Sequence, residues 1–370
     1  MIVYLPLTAV VLLTAMLVRK TQFNICYGQV RRQNVVNIIA IVIIFSCLFW
    51  VSALRVNVGN DYAKYVEFMH LVYSRAYVPT EAGFNALTYA IYYLSGFENY
   101  ILVFAVIAFF TILFFMKAIW DQSEWFTFSF MMFMLLGYYF QSISTVRYYL
   151  ALALALYSIK FVMAKDWPRF LMVVLIGALF HKSFLVVLVL YPLARMKWKR
   201  WMYIAAGFFC VSCLFLQDLY LKIVVFLYPS YKDTEYLTGG TSEVNIARCA
   251  AILIFSLILF KDVVKENRTY LFYFYCNLMA LALYVFGSFL PIISRIGYYL
   301  TVTHILFVPA LILHIKDDRI RKWVKIAAVL GCLLYFAIYM KKAPDDGVRI
   351  LPYQSILFDD MPLTLSERGY

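Results

Sequence analysis

Apolar runs separated by short polar stretches follow one another along almost the whole chain. Many of them approach the ~20 residues with which a helix crosses the hydrocarbon core of a bilayer. Since backbone groups in lipid must be hydrogen-bonded within their own segment, the pattern predicts an all-α fold of about 12 transmembrane helices, in one transmembrane domain over residues 1–370. The predicted spans are 2–18, 35–53, 98–116, 126–141, 148–164, 168–181, 183–195, 201–216, 246–260, 269–290, 296–315 and 324–340.

Composition and charge agree with a multi-pass membrane protein. Hydrophobic residues make up 65% of the chain and charged residues only 14%, whereas soluble domains carry roughly 25% charged residues. With both termini outside, the predicted inner face carries the whole formal net charge of +13, as the positive-inside bias requires. This distribution accounts for the sequence pI of about 9.3 without a nucleic-acid partner.

Two long loops are predicted on the outer side, at residues 55–97 and 217–245. In the first loop, Asn60 stands where it can cap a helix with apolar positions at helical spacing, and a second such stretch follows Pro79. Both are expected to be amphipathic helices that lie in the membrane interface. The second loop begins apolar and then turns polar around Gly239-Gly240, which predicts an interfacial helix followed by a mobile lid.

The predicted spans 168–181 and 183–195 are too short to cross a bilayer, because about eleven apolar residues rise only about 16 Å. They meet at His181-Lys182-Ser183. We predict a bent pair of short helices with this polar tip below the outer surface. Backbone is tolerated at that depth only inside protein or along a water-filled cavity, so a cavity is predicted there. One continuous span over 169–195 is the alternative.

Four arginines, Arg55, Arg147, Arg248 and Arg295, stand at the predicted outer ends of spans among apolar residues. A charge near hydrocarbon costs about 2.5–3.5 kcal/mol on insertion scales, so such residues usually face the bundle interior or a cavity. The planar guanidinium suits phosphate and carboxylate. We expect the four to form an anion site near His181, although each one alone is also explained by contacts with lipid headgroups or an outer carboxylate.

Three further side chains are candidates for chemistry on the outer side. Asp61 is interpreted either as a general base for a hydroxyl or as a helix N-terminal acid stabilised by the dipole. Glu81 has the same two interpretations, and His181 is either a catalytic or a structural histidine. No Gly-rich phosphate loop is visible, and the predicted inner loops are too short for a cytosolic domain. The substrate is therefore expected to be in the membrane already, and neither a cofactor nor a metal is expected.

These residues form an ordered series that resembles the EpsG family, whose members are Wzy-type polymerases of bacterial surface polysaccharides. The resemblance extends over roughly residues 1–300. At Tyr148 the chain departs from it, since the pattern has Gln after the arginine that opens the span. The matching series is Arg55-x-x-x-Gly59-x-Asp61-x-x-x-Tyr65, Glu81-x-x-Phe84, Arg147, Phe180-His181-x-Ser183 and Ser294-Arg295.

The resemblance implies a glycosyltransferase related to the GT-C type that works without a nucleotide donor on the outer face of a bacterial cytoplasmic membrane. The donor is expected to be a growing glycan on undecaprenyl pyrophosphate. The acceptor is expected to be a sugar hydroxyl of a new lipid-linked oligosaccharide repeat unit. Membrane lipids, a chain-length regulator and a flippase are the further expected partners, and Asp61 corresponds to the important acid of the first outer loop.

Under this interpretation the candidate residues receive distinct roles. Arginines aimed at the pyrophosphate stabilise the charge that develops as the glycosidic bond breaks. Asp61 or His181 takes the acceptor proton, and Arg55 is the expected partner of Asp61. If Arg55 does hold Asp61, His181 is the preferred base. The expected substrate-binding residues are Tyr65, Glu81, Arg147, Lys182, Ser183, Arg248 and Arg295.

Three other functions remain open at the level of sequence. A polysaccharide or O-antigen ligase would use the same anion site with another acceptor. A membrane O-acyltransferase would need an acyl donor at the outer face. A flippase for lipid-linked oligosaccharide would expose polar residues to both sides, whereas the polar residues within the predicted spans cluster towards one face.

Overall fold

The computed structural model describes residues 1–20, 27–227, 240, 243–290 and 293–358, with the backbone alone for residues 27–31 and 227. The described residues are helical and contain no strand, which confirms the predicted all-α fold. The helices are α1 Tyr4–Ala15, α2 Tyr27–Ala53, α3 Tyr62–Tyr73, α4 Ala82–Ser95, α5 Tyr100–Gln122, α6 Phe126–Leu135, α7 Tyr138–Ser144, α8 Val146–Met163, α9 Trp167–Ala178, α10 Leu190–Leu193, α11 Arg200–Phe215, α12 Gln217–Leu227, α13 Glu243–Ile258, α14 Arg268–Phe286, α15 Ile293–Thr301, α16 His304–Leu313 and α17 Asp318–Lys341, with a 3₁₀ helix Lys182–Val189 and a π-helix Phe260–Val264.

Six helical segments of the described chain are long and apolar enough to cross a membrane, and two bent pairs raise the number to 8. The chain is therefore a multi-pass membrane protein. A helix occupies each of the predicted spans, and the count of about 12 crossings stays a prediction. Helices α1 and α9 hold only 12 residues each, fewer than the ~20 with which a straight helix crosses a bilayer.

The described part of the chain divides into two compact units, and its organisation as one transmembrane domain stays a prediction. The first unit comprises Met1–Lys160, Pro168–Leu185 and Lys316–Tyr370, and the second comprises Phe161–Trp167 and Val186–Ile315. We describe each unit separately.

The first unit is built on α2 and α5, which pack against each other. Helix α1 contacts both α2 and α6, and α17 also contacts α6. Its core is rich in aromatic rings. The ring of Phe115 lies 4.8 Å from that of Phe133, and Tyr4 meets Phe140 edge-on at 5.4 Å. Such offset and edge-on pairs add to the burial of apolar area. This core holds the outer-loop segments described next.

The first predicted outer loop contains the two expected helices, α3 and α4. Their apolar positions are buried, among them Tyr65 and Phe84. The cap differs from the prediction, because Asp61 and not Asn60 is the N-cap residue of α3. The amide of Asn60 is engaged elsewhere, as a donor to the backbone C=O of Gly347 at 3.1 Å.

The break predicted around His181 is confirmed. Helix α9 ends at Ala178, and the 3₁₀ helix begins at Lys182. The ring of Phe184 packs directly against Gly177, where an added Cβ atom would overlap it. Two short apolar helices therefore replace one continuous span.

The second unit packs α14 against α13, α15 and α11. Helix α11 and the segment Gln217–Phe226 meet at an angle of 92°, so the apolar start of the second predicted outer loop is a helix that leaves the direction of α11. The predicted lid falls at 228–239 and 241–242, outside the described residues.

Candidate functional site

An ion pair joins the first predicted outer loop to α8 within the first unit. Nη1 of Arg147 donates to Oε2 of Glu81. Arg147 is the second residue of α8, and Glu81 directly precedes α4. The two side chains are only 14% and 16% exposed. Since partial burial weakens solvent screening, this pair differs from an ordinary surface ion pair.

Two aromatic rings flank the Arg147 guanidinium. Its carbon lies 5.4 Å from the ring centre of Tyr65 and 5.3 Å from that of Phe84. These distances suit cation–π interactions, which fix the plane of the group. Nε of Arg147 is buried and has no hydrogen-bond partner in the described part of the chain. One edge of the guanidinium thus holds Glu81, while the Nε donor is left without a partner in the described part of the chain.

The other oxygen of Glu81 reaches the break between α9 and the 3₁₀ helix. Glu81 Oε1 accepts the backbone N–H of Lys182 at 3.1 Å. Nearby, Gly83 N donates to the C=O of Leu179 at 2.8 Å. The carboxylate of Glu81 therefore ties Arg147 to the polar tip that carries His181.

His181 lies within this tip among named partners. Its Nδ1 is 2.7 Å from Oγ of Ser183, and the ring of Tyr148 meets the imidazole edge-on at 5.4 Å. Tyr148, which departs from the family pattern, is thus a contact of the candidate histidine. The side chains of Ser183 and Tyr148 fix the orientation of the imidazole.

The turn that carries Asp61 is fastened to the residues just before Arg147. Oγ of Ser144, the last residue of α7, donates to Asn60 Oδ1 and accepts the Asn60 N–H at 3.2 Å. Gly59 has a φ of +108°, and a Cβ there would lie 2.9 Å from Cα of Ser144. Only glycine fits so close to another backbone at this φ. The short segment from Ser144 to Arg147 therefore contacts the turn that carries Asp61 through Ser144 and contacts Glu81 through Arg147.

Arg55 lies differently from the prediction. It is 1% exposed, donates to the C=O of Ser52 and stacks over Phe104 at 4.8 Å. Within the described residues it forms no ion pair with Asp61, and its Nε and Nη2 have no partner. Burial lowers the pKa of Arg55, since desolvation disfavours the charged form. The pairing failed because the chain buries Arg55 at the end of α2.

The second unit holds the other two arginines. Nη2 of Arg248 donates to Asn245 Oδ1 at 2.9 Å and lies 3.4 Å from Oγ1 of Thr301. Arg295 lies near the start of α15. The expected convergence of all four arginines with His181 stays a prediction. Among the described residues of the first unit, Arg147 contacts Glu81 and Tyr65, and Glu81 contacts the polar tip.

The sequence model of the EpsG family matches residues 38–355, which is most of the chain. The chain belongs to the EpsG family. Membership makes it an exopolysaccharide-related membrane protein, and the match reaches past the roughly 300 residues of the predicted resemblance. No curated protein and no solved structure matches the chain.

Several residues that build this candidate site were missed by the sequence analysis. Ser144 and Gly83 carry no chemical signal, because their importance lies in contacts between distant segments. Arg349, which the structure places on the Asp61 turn, follows the turn-like stretch Ala343–Gly347 and was not considered. The Asp-Gly pair within that stretch was the one available sign of a tight turn.

Replacing Gly83 by alanine should destabilise the first unit. A Cβ there would lie 2.8 Å from the C=O of Leu179, so the backbone contact has to open. Overpacking of this kind costs about 1–3 kcal/mol. Thermal unfolding in detergent should therefore show a lower midpoint for Gly83→Ala.

Gly331 in α17 is the matched control, since an added Cβ meets nothing within 4 Å there. Alanine is favoured over glycine in helices by roughly 0.5–1 kcal/mol, so Gly331→Ala should leave the midpoint unchanged or raise it. An unfolding midpoint of Gly83→Ala equal to that of Gly331→Ala would refute the close packing of α4 on Leu179.

Proposed function

We propose that this protein is a polysaccharide polymerase, a glycosyltransferase on the outer face of a bacterial cytoplasmic membrane. It joins oligosaccharide repeat units carried on undecaprenyl pyrophosphate. A GT-C-like arrangement with about 12 spans belongs to the same proposal. A chain-length regulator and a flippase are its proposed partners.

The observation that carries the proposal is the arrangement around Arg147 in a member of the EpsG family. The guanidinium is held by Glu81, stacked between two rings, and keeps a buried N–H without a partner in the described chain. An arginine held in one plane suits the bidentate recognition of a phosphate group. We therefore assign Arg147 to the pyrophosphate of the donor.

The proposed step transfers the growing glycan to a new repeat unit. The bond between the anomeric carbon and the pyrophosphate oxygen breaks, and the leaving pyrophosphate takes the electron pair. A hydroxyl oxygen of the acceptor sugar forms the new glycosidic bond and gives its proton to a base of the protein. Arg147 stabilises the charge that accumulates on the leaving group.

We assign the base to Asp61, with His181 as the second candidate. The sequence interpretation preferred His181 if Arg55 held Asp61, and Arg55 does not do so in the described structure. The helix dipole of α3 favours an ionised carboxylate at its N-cap, as a base requires. The Ser183 contact gives His181 a fixed ring orientation for contact with substrate.

The remaining candidates keep supporting roles in the proposal. Glu81 holds Arg147 and the backbone of Lys182, so it positions rather than reacts. Tyr65 provides a ring beside the proposed pyrophosphate site. Arg248 and Arg295 are proposed as further pyrophosphate ligands.

The test is incubation of the purified protein with lipid-linked repeat units, followed by separation of the glycans by size. A polymerase gives a ladder of oligomers still attached to lipid. Transfer of the glycan to another acceptor without a ladder would indicate a ligase. Acyl transfer with unchanged glycan length would indicate an acyltransferase, and movement of intact substrate across vesicles without new bonds would indicate a flippase. Each of these three results contradicts the proposal.

A further inference from the structure

The C-terminal segment Ala343–Phe358 folds back onto the turn that carries Asp61. Arg55 and Ser355 form an antiparallel bridge, and their neighbours exchange two backbone hydrogen bonds of 3.0 Å. The pairing places a segment near the end of the chain beside a motif near its beginning. The sequence analysis assigned this segment neither structure nor function.

Arg349 makes two contacts with this turn. Its C=O accepts the N–H of Gly59 at 2.8 Å, and its Nη2 donates to Asn57 Oδ1 at 2.6 Å. Asn57 has a φ of 54° and Arg349 a φ of 44°, in the left-handed region that residues with a Cβ rarely adopt. Such conformations persist only where surrounding contacts hold them. The two residues therefore hold each other in place beside Asp61.

The same segment covers Arg55. Tyr353 donates to the C=O of Val51 at 3.0 Å, and Tyr4 donates to the C=O of Ile350 at 3.1 Å. Burying a guanidinium without a carboxylate partner in the described chain costs free energy. An apolar residue at position 55 would allow the same backbone pairing without this cost. The C-terminal segment therefore lies against a charge that is costly to bury, next to the turn that carries Asp61.

We propose that the segment Ala343–Phe358 is part of the catalytic site and that Arg349 is a positioning residue, which fixes through Asn57 the turn that presents Asp61 to the acceptor hydroxyl. The inference rests on the proposed function. A displacement of a reacting group by about 1 Å can lower the rate by up to roughly 100-fold. Loss of a single hydrogen bond that fixes the turn can therefore slow the reaction measurably. The family match, which runs to residue 355, includes most of this segment.

The test measures oligomer formation by the purified full-length protein at a series of repeat-unit concentrations. Arg349→Ala should lower kcat about tenfold at unchanged KM, because the turn loses its hold while the donor site is intact. Asn57→Gly removes the same hydrogen bond and tolerates the positive φ, so it should give the same loss. The double variant should lose no more than either single variant, since both remove one interaction.

Two variants complete the experiment. Arg349→Lys keeps a donor for Asn57 and should recover part of the rate. Lys342→Ala removes an exposed cation at the end of α17 and should behave as the wild type. If Arg349→Ala fails to accumulate in the membrane, Asn57→Gly carries the comparison.

Two results would overturn the inference while the wild type is active. One is a wild-type kcat in Arg349→Ala or in Asn57→Gly. The other is a double variant in which the two losses multiply, because independent effects would mean that the residues do not act through their shared hydrogen bond. A wild-type protein that makes no oligomers contradicts the proposed function itself, so the two failures are distinguishable.

Discussion

Replacing Arg147 by alanine should reduce the rate of oligomer formation by about 100-fold or more, with protein levels in the membrane unchanged. Loss of one hydrogen-bond donor aimed at developing charge typically lowers kcat by about 10²–10³-fold. Arg147 is the residue proposed to stabilise the leaving pyrophosphate. The change also leaves Glu81 without its ion-pair partner, so a negative charge would face the incoming anion. Both effects act in the same direction.

Arg147→Lys separates charge from geometry. Lysine keeps a positive charge but lacks the planar fork that can hold Glu81 and a phosphate at once. We expect a rate between those of the wild type and Arg147→Ala. Arg75→Ala is the control, because it removes an exposed arginine from the same loop region. Full activity of Arg147→Ala in the reconstituted assay would rule out the proposed pyrophosphate contact.

Asp61→Asn should cause the second large effect, a fall in kcat of about 10²–10⁴-fold. Asparagine keeps the size and the N-cap position but cannot take a proton, so binding of lipid-linked substrate should persist. Asp61→Glu should retain part of the rate, because the carboxylate remains while its position shifts. The measurement is the initial rate of oligomer formation together with equilibrium binding of the repeat unit.

Glu67→Gln is the matched control for this series, since it removes an exposed carboxylate from α3 itself. It should leave the rate unchanged. If Asp61→Asn keeps normal turnover while His181→Gln loses it, the base is His181 and the assignment to Asp61 is wrong.

Much of the local structure was predictable from sequence, because apolar periodicity and polar interruptions act within one segment. Helices α3 and α4 follow from apolar positions at helical spacing. The break at His181-Lys182-Ser183 follows from two apolar runs that are each too short for a bilayer. The positions of Glu81 and His181 directly before helical elements could therefore be predicted, although their contacts could not.

The contacts that assemble the site were not predictable, since they join segments far apart in the chain. Ser144 holds the Asp61 turn across 84 positions, and Arg349 reaches Asn57 across 292. A single sequence does not show which distant residue a serine or a lone arginine will contact. The expected pairing of Arg55 with Asp61 failed for the same reason, because proximity in sequence did not determine which way the buried side chain lies.

The number of membrane crossings is also not determined by hydropathy alone. Hydropathy shows where apolar residues cluster, yet whether a cluster forms one helix depends on packing. Helices α6 and α7 meet at 44°, next to Gly137 with its φ of +78°. A left-handed glycine of this kind interrupts a helix without interrupting the apolar run.

The most direct test of the central claim is the stoichiometry of the reaction. Wild-type protein in vesicles is supplied with lipid-linked repeat units, and both the new glycosidic bonds and the free undecaprenyl pyrophosphate are counted over time. We predict one undecaprenyl pyrophosphate released for every bond formed, with both quantities falling together in Arg147→Ala and Asp61→Asn. Bond formation without release of the lipid pyrophosphate, or release without bond formation, would contradict the account.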